Sequence, residues 1–236
     1  MTRWKAAGTH LALSILVIGS IALSAFLLWY PHNLYKVAGL DRILLVMLGI
    51  DLTAGPLLTL ILYRPGKWGL KFDLTAIGIA QLAFLGYGLH TLWDGRPVFL
   101  VGTPETFTVV FASEIDSGDL ARASRPEWRK LSWTGPQLVG ARMPNDPEAR
   151  RKIIEEFMAG GAGIERSPKY YMAFDRIASD ILRNSKTLDA KQVSDSKNLT
   201  NLRLFPIASR RGEGDMLVNS RTAEPVRAIA SADPKK

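Results

Sequence analysis

Three long stretches, Leu11 to Tyr30, Ile43 to Tyr63 and Leu74 to Trp93, are uncharged apart from Asp51. Each holds about 20 residues, and at ~1.5 Å of rise per residue a helix of that length covers the ~30 Å hydrocarbon core of a bilayer. Past Trp93 the pattern changes to short alternating and helical periods typical of globular sequence. The pattern predicts an integral membrane protein with a three-helix transmembrane N-terminal half, residues 1–93, with spans at about 10–30, 43–63 and 73–93. A small mixed α+β extracytoplasmic domain, residues 94–236, follows. The first stretch has Arg3 and Lys5 ahead of it and small residues at Ala22, Ser24 and Ala25, the outline of a secretory signal. Its apolar run exceeds the usual length of about 7–15 residues, so it reads as an uncleaved helix.

In the second half, Phe107, Val109 and Phe111 alternate as a strand with one buried face, and Gln137 to Met143 is a weaker strand. Asn145 or Asp146 caps a helix with Pro147 at its first position and Glu148 near its positive end. Ile153, Ile154, Phe157 and Met158 give that helix an apolar face, and Gly160 ends it. A second helix carries Phe174, Ile177, Ala178, Ile181 and Leu182 at helical spacing. A β meander closes the chain: Leu202 to Ala208, a turn at Arg211 to Gly214, Met216 to Asn219, another turn, then Val226 to Ala230. Ala232 to Lys236 reads as a loose tail.

The middle span sets the candidate chemistry. A carboxylate at its depth costs roughly 2.5–3.5 kcal/mol on insertion scales, so Asp51 should face protein or water. Asp51, Gly55 and Thr59 fall at i, i+4 and i+8 on one stripe, with Ala54 beside it, a surface small enough for another helix to approach closely. Pro56 removes a backbone hydrogen bond and bends the helix. Span three carries Gly78, Gln81 and Gly88 on one face. Counting rise along each helix puts Ser20, Ser24, Gln81, Tyr87 and Asp51 within a turn or two of each other in depth. Three readings stay open for Asp51: a hydrogen-bonded packing residue, a partner for another chain's intramembrane charge, or part of a proton or ion path.

Charge and aromatics orient the spans. Trp4, Trp29, Trp68 and Trp93 stand at or just beyond span ends, where an indole prefers the headgroup region. Arg3 and Lys5 precede the first span and Arg64, Lys67 and Lys71 lie between the second and third, whereas the first loop offers Lys36 and Arg42. The N-terminus and second loop are therefore expected in the cytoplasm, and everything after Trp93 in the periplasm of a bacterium. The 30 basic residues exceed the 22 acidic ones without gathering into one arm, which argues against nucleic-acid binding.

Catalytic equipment is sparse. There is no cysteine, and beyond His90 no histidine, which removes Ser-His-Asp triads, cysteine nucleophiles and His- or Cys-ligated zinc from the outer domain. His10, His32 and His90 lie too far apart to share a metal and read as interface residues. The glycine-rich Ala159 to Arg166 lacks the ending of a phosphate loop and follows a helix, so it reads as a helix stop. No catalytic residue, cofactor or metal is expected. A carboxylate-pair or Ser-Lys hydrolase is not excluded, but no spacing selects one.

Several segments resemble the type IV pilin accessory proteins of the TfpX/TfpZ type. They are DLTAGPLLT at Asp51 to Thr59, PGK at Pro65 to Lys67, DL at Asp73 and Leu74, QLAFLGYG at Gln81 to Gly88, and RPV at Arg96 to Val98. The likeness covers residues 1 to about 115 and is looser beyond Phe111, where PKYY at Pro168 to Tyr171 and LFP near Leu204 are similar in placement. The first loop lacks the family's Gly-Gly after Tyr30 and Pro31, and the C-terminus departs from its usual ending. The resemblance implies a non-enzymatic accessory or chaperone in the bacterial inner membrane that binds a cognate type IV pilin. The expected contact is the pilin's apolar helix with its own buried glutamate, with the globular head as a further contact left open. The residues expected to meet it are Asp51, Ala54, Gly55, Pro56, Thr59, Gln81, Tyr87 and Gly88, with the bilayer as the other partner. The alternatives are a small transporter or proton-conducting subunit using Asp51, or a membrane-anchored hydrolase.

Overall fold

The computed structural model describes residues 2–188 and 201–230. The tail expected at Ala232 to Lys236 lies outside them. Among the described residues three helices are long and apolar enough to cross a membrane: Arg3–Trp29, Leu44–Leu62 and Leu70–Asp94. The chain divides into two compact units, residues 1–27 with 40–94, and residues 28–39 with 95–236.

In the first unit, α1 (Arg3–Trp29) and α5 (Leu70–Asp94) are uninterrupted. The middle helix is built in three parts: α3 (Leu40–Gly49), a π-helical turn (Ile50–Ala54) and α4 (Gly55–Leu62). Pro56 stands in the first turn of α4. Its missing N–H would break an ordinary i to i−4 ladder, and the wider π turn just before it accommodates that break. Just before Pro56, where a bend is expected, the helix carries a π-helical turn containing Asp51. Between the second and third helices, Lys67 pairs with Asp73 at 2.5 Å, so the PGK and DL segments meet in the turn.

The second unit is a mixed sheet of eight strands among the described residues, ordered β4-β3-β1-β2-β6-β7-β8. The strands are β1 (Pro97–Gly102), β2 (Phe107–Phe111), β3 (Gln137–Ala141), β4 (Tyr171–Met172), β5 (Lys186–Thr187), β6 (Leu202–Ala208), β7 (Glu213–Asn219) and β8 (Pro225–Ala230). β1 and β2 form an antiparallel hairpin; β3 joins β1 and β6 joins β2 in parallel, and β6, β7 and β8 form the expected antiparallel meander. The short β5 pairs with β6 at Leu204 and Arg203.

Two features differ from expectation. β2 is buried along its whole length, not on one face, and it pairs with β1, a wholly buried strand that alternation could not reveal. The reason is cover on both sides. On one face Val98, Phe99, Val101 and Val110 pack with Trp128, Val139 and Tyr171. On the other lies α8 (Asp175–Asn184), whose Ile177 and Ile181 are fully buried; a Cβ on Gly140 would come 2.9 Å from Ile177, and one on Gly102 2.9 Å from Ile181. The second difference is α7 (Pro147–Met158). Its Asp146 side chain accepts from the Ala149 amide at 2.8 Å as a cap, and Gly160 follows it at φ +91°, but only Ile153 of its apolar residues is buried. Ile154, Phe157 and Met158 face outward, Met158 at 79 % exposure.

Residues 28–39 form part of this unit's core. A 3-10 turn (Pro31–Asn33) and α2 (Tyr35–Ala38) bury Tyr30, Leu34, Val37 and Ala38 beside β8. The Ser209 hydroxyl donates to the Val37 carbonyl at 2.7 Å, and the Arg211 guanidinium lies 4.4 Å over the Phe111 ring while donating to the carbonyls of Ala38 and Gly95.

Candidate functional site

The first unit encloses a cleft of about 500 Å3 between its helices. Helical periodicity selects its lining. Ala6, His10, Leu13 and Val17 recur at i, i+4, i+7 and i+11 on α1, and Leu74, Gly78, Gln81 and Leu85 do so on α5, so each helix presents one face. The π turn and α4 contribute Asp51 and Thr59. Leucines and Val17 make apolar walls, while His10, Ser14, Asp51, Thr59 and Gln81 make a polar floor.

The floor is hydrogen-bonded. Thr59 Oγ1 donates to the Gly55 carbonyl at 3.0 Å and lies 2.7 Å from His10 Nδ1. Because the single hydroxyl proton is used on Gly55, the Thr59 oxygen accepts and His10 Nδ1 carries the hydrogen. Gln81 Nε2 donates to the Asp51 carbonyl at 3.4 Å. A Cβ on Gly55 would fall on the Gln81 amide, so the close approach expected at Gly55 is made by this chain's own α5.

Asp51, Gly55, Pro56 and Thr59 are all buried, Asp51 at 5 % exposure and Thr59 at 4 %. Ala54, beside the stripe, is exposed. Gly88 is buried further along α5, away from the cleft lining, and Tyr87 is 75 % exposed. Of the polar cluster expected from depth, Asp51 and Gln81 meet, whereas Ser20 donates to its own helix at Leu16 and Ser24 is exposed. Depth along a helix fixes height but not direction around the axis, and the serine that lines the cleft is Ser14. His10, read as an interface residue, instead joins the floor. Its height was legible: His10 stands at the start of span one and Thr59 one turn from the end of an antiparallel span two, so the two lie close in depth.

Fold and cleft together define a class: a helical unit with apolar residues outward and a polar-floored cleft inside, followed on the same chain by a globular mixed-sheet domain. Residues 1–39 match the family described as Fimbrial assembly protein FimB. The chain is 29 % identical to the serogroup I fimbrial assembly protein of Dichelobacter nodosus over 91 % of its own length and 89 % of the relative's, and 28 % identical to the serogroup E1 protein over the same shares. It is 33 % identical to the protein of serogroups C1 and C2, spanning 92 % of that relative and 50 % of itself. The chain belongs to the fimbrial assembly protein family. No solved structure matches it.

Proposed function

We propose that this protein is a non-enzymatic accessory of fimbrial assembly that sits in the bacterial inner membrane and holds a type IV pilin subunit before it enters the filament. The observation that carries the reading is the cleft: apolar walls and a hydrogen-bonded polar floor, in a chain whose relatives over nine tenths of its length are named fimbrial assembly proteins. An apolar helix waiting in lipid with a polar group of its own gains from such a surface, because hydrocarbon offers that group no partner. The volume suits a row of side chains from a helix lying across the cleft, with its polar group meeting Asp51, Gln81 or His10. Intramembrane hydrogen bonds average only ~0.6 kcal/mol, so the mixed-sheet domain supplies much of the affinity by contacting the subunit's head.

Filling the cleft tests this. Ser14→Phe should insert normally and lose co-purification with the cognate pilin; capture at wild-type level would overturn the reading. In the proposed orientation the N-terminus is cytoplasmic and the mixed-sheet domain periplasmic, so alkaline phosphatase fused after Lys236 should be active. An inactive phosphatase with a fluorescent cytoplasmic reporter at the same point would reverse the topology. The same polar floor favours one second reading, proton conduction. A proton leak in vesicles that Asp51→Asn abolishes would favour it.

A further inference from the structure

Trp133 is 72 % exposed, yet the loop that carries it is fixed. Its carbonyl accepts from Trp29 Nε1 at 2.8 Å, and Trp29 is the last residue of α1. The neighbouring Ser132 carbonyl accepts from Arg96 Nε at 3.1 Å, and the Ser132 hydroxyl accepts from the Thr134 amide at 3.3 Å. Gly135 is buried at φ +109°, and a Cβ there would come 2.8 Å from the Leu28 carbonyl oxygen. The conformation and the contact both demand glycine, so the loop is seated directly on Leu28 and Trp29, the last two residues of α1. A largely exposed indole on so constrained a backbone is a feature of the site, not of a loose loop.

We propose that Trp133 is a lipid anchor, its indole lying in the headgroup layer where α1 ends. The proposal rests on the membrane-spanning reading of α1. If α1 crosses the bilayer, Trp29 stands at the boundary between hydrocarbon and water, and a side chain on a loop bonded to Trp29 stands at the same level. An indole combines an apolar body with one N–H donor and partitions to that layer. Lys130, exposed three residues before Trp133, is a cation able to reach a lipid phosphate while its stem lies along apolar surface, and the exposed Arg129 beside it is held by its Nε on the Ala123 carbonyl at 2.9 Å. Charge and aromatic character therefore select lipid headgroups as the occupant.

The absence of native cysteine makes the test direct. Full-length protein carrying Thr134→Cys, Glu105→Cys or Leu16→Cys is labelled with one fluorophore and reconstituted in vesicles of phosphatidylethanolamine and phosphatidylglycerol. The Thr134 probe should be quenched by a nitroxide held at the headgroup and only weakly by one deep in the acyl chain. The Leu16 probe should show the reverse, and the Glu105 probe should respond to aqueous iodide alone. Adding Trp133→Ser should shift the Thr134 probe toward iodide. A Thr134 probe that behaves like Glu105 while Leu16 reads deep would overturn the anchor and leave the spanning reading intact. A Thr134 probe shielded from every quencher would mean that protein covers the loop, which also overturns it. If Leu16 itself answers only to iodide, both readings fall.

Discussion

The two units are patterned inside out relative to each other. In the helical unit the buried positions among the described residues of the middle span, Leu44–Leu62, are Asp51, Gly55, Pro56 and Thr59, while leucines such as Leu16 and Leu45 face outward. In the mixed-sheet unit Phe99, Phe107, Phe111 and Phe205 are fully buried, and the buried charges among the described residues, Arg96 and Asp119, are held by hydrogen bonds. Each arrangement suits one solvent. Water drives apolar surface inward at roughly 25 cal/mol per Å2, whereas lipid tails are as apolar as leucine and leave close packing and hydrogen bonds to hold helices together. The same chemical groups thus exchange places across the junction near Asp94.

This contrast can be broken most forcefully in the sheet. Phe205 is fully buried with its ring edge-on to Phe107 at 5.6 Å, so Phe205→Ala should cost about 3–5 kcal/mol in chemical denaturation followed by near-UV circular dichroism. Leu16→Ala, at 66 % exposure on α1, should leave that transition unmoved. Next is Gly55→Leu. Its side chain would occupy the space of the Gln81 amide, and overpacking of this kind costs roughly 1–3 kcal/mol. Separation of α4 from α5 should appear as loss of a disulfide cross-link between cysteines introduced on the two helices. The variant is therefore a test of this chain's own packing before it is a test of partner binding.

A third prediction concerns the ion network of the sheet unit. Lys169 Nζ lies 3.2 Å from Asp119 and 3.0 Å from Glu156, and Arg122 lies 2.7 Å from Asp119. Burial raises the Asp119 pKa, but hydrogen bonds from Ser167, Lys169 and Arg122 outweigh it and hold the carboxyl below its ordinary value. Burial lowers the Lys169 pKa, and its bonds to Glu156 and Asp119 outweigh that in turn and raise it. The stability from Asp119 is complete above the ordinary carboxylate range and lost as pH falls through its lowered folded value. That from Lys169 is complete below the ordinary lysine range and lost as pH rises through its raised folded value. Asp119→Asn should cost about 1–2 kcal/mol at neutral pH and flatten the acid limb of Tm against pH. The smallest effect is expected in the helical unit, where Thr59→Val removes the His10 and Gly55 hydrogen bonds for ~0.6 kcal/mol each, read as a modest drop in detergent resistance.

Much of this was legible in residue order. Long uncharged runs mark the three helices, and period-3.6 and period-2 patterns mark α7, α8, β2 and the meander. β1 was not, because PVFLVG is buried on both faces and a strand with no polar side has no alternation to read. Residues 28–39 hid for a different reason: their apolar positions pack against β8, a strand almost two hundred residues later. Within the candidate site, the i, i+4, i+8 stripe through Asp51 and the presence of Gln81 at its depth were visible, whereas His10 was read as an interface residue. Azimuth is what a count of rise does not contain, so Ser20 and Ser24, expected at the same depth, turn elsewhere, and the π turn shifts the face of everything after Gly49.

The most direct measurement of the account is site-specific photocrosslinking in living cells that make the pilin. Benzoylphenylalanine replacing Leu13, on the cleft wall, should capture the pilin through its apolar helix, whereas the same group replacing Leu16, a turn away on the outer face of α1, should yield lipid adducts alone. Capture from Leu16 as strong as from Leu13, or from neither in cells that assemble fimbriae normally, would contradict a cleft that receives the subunit.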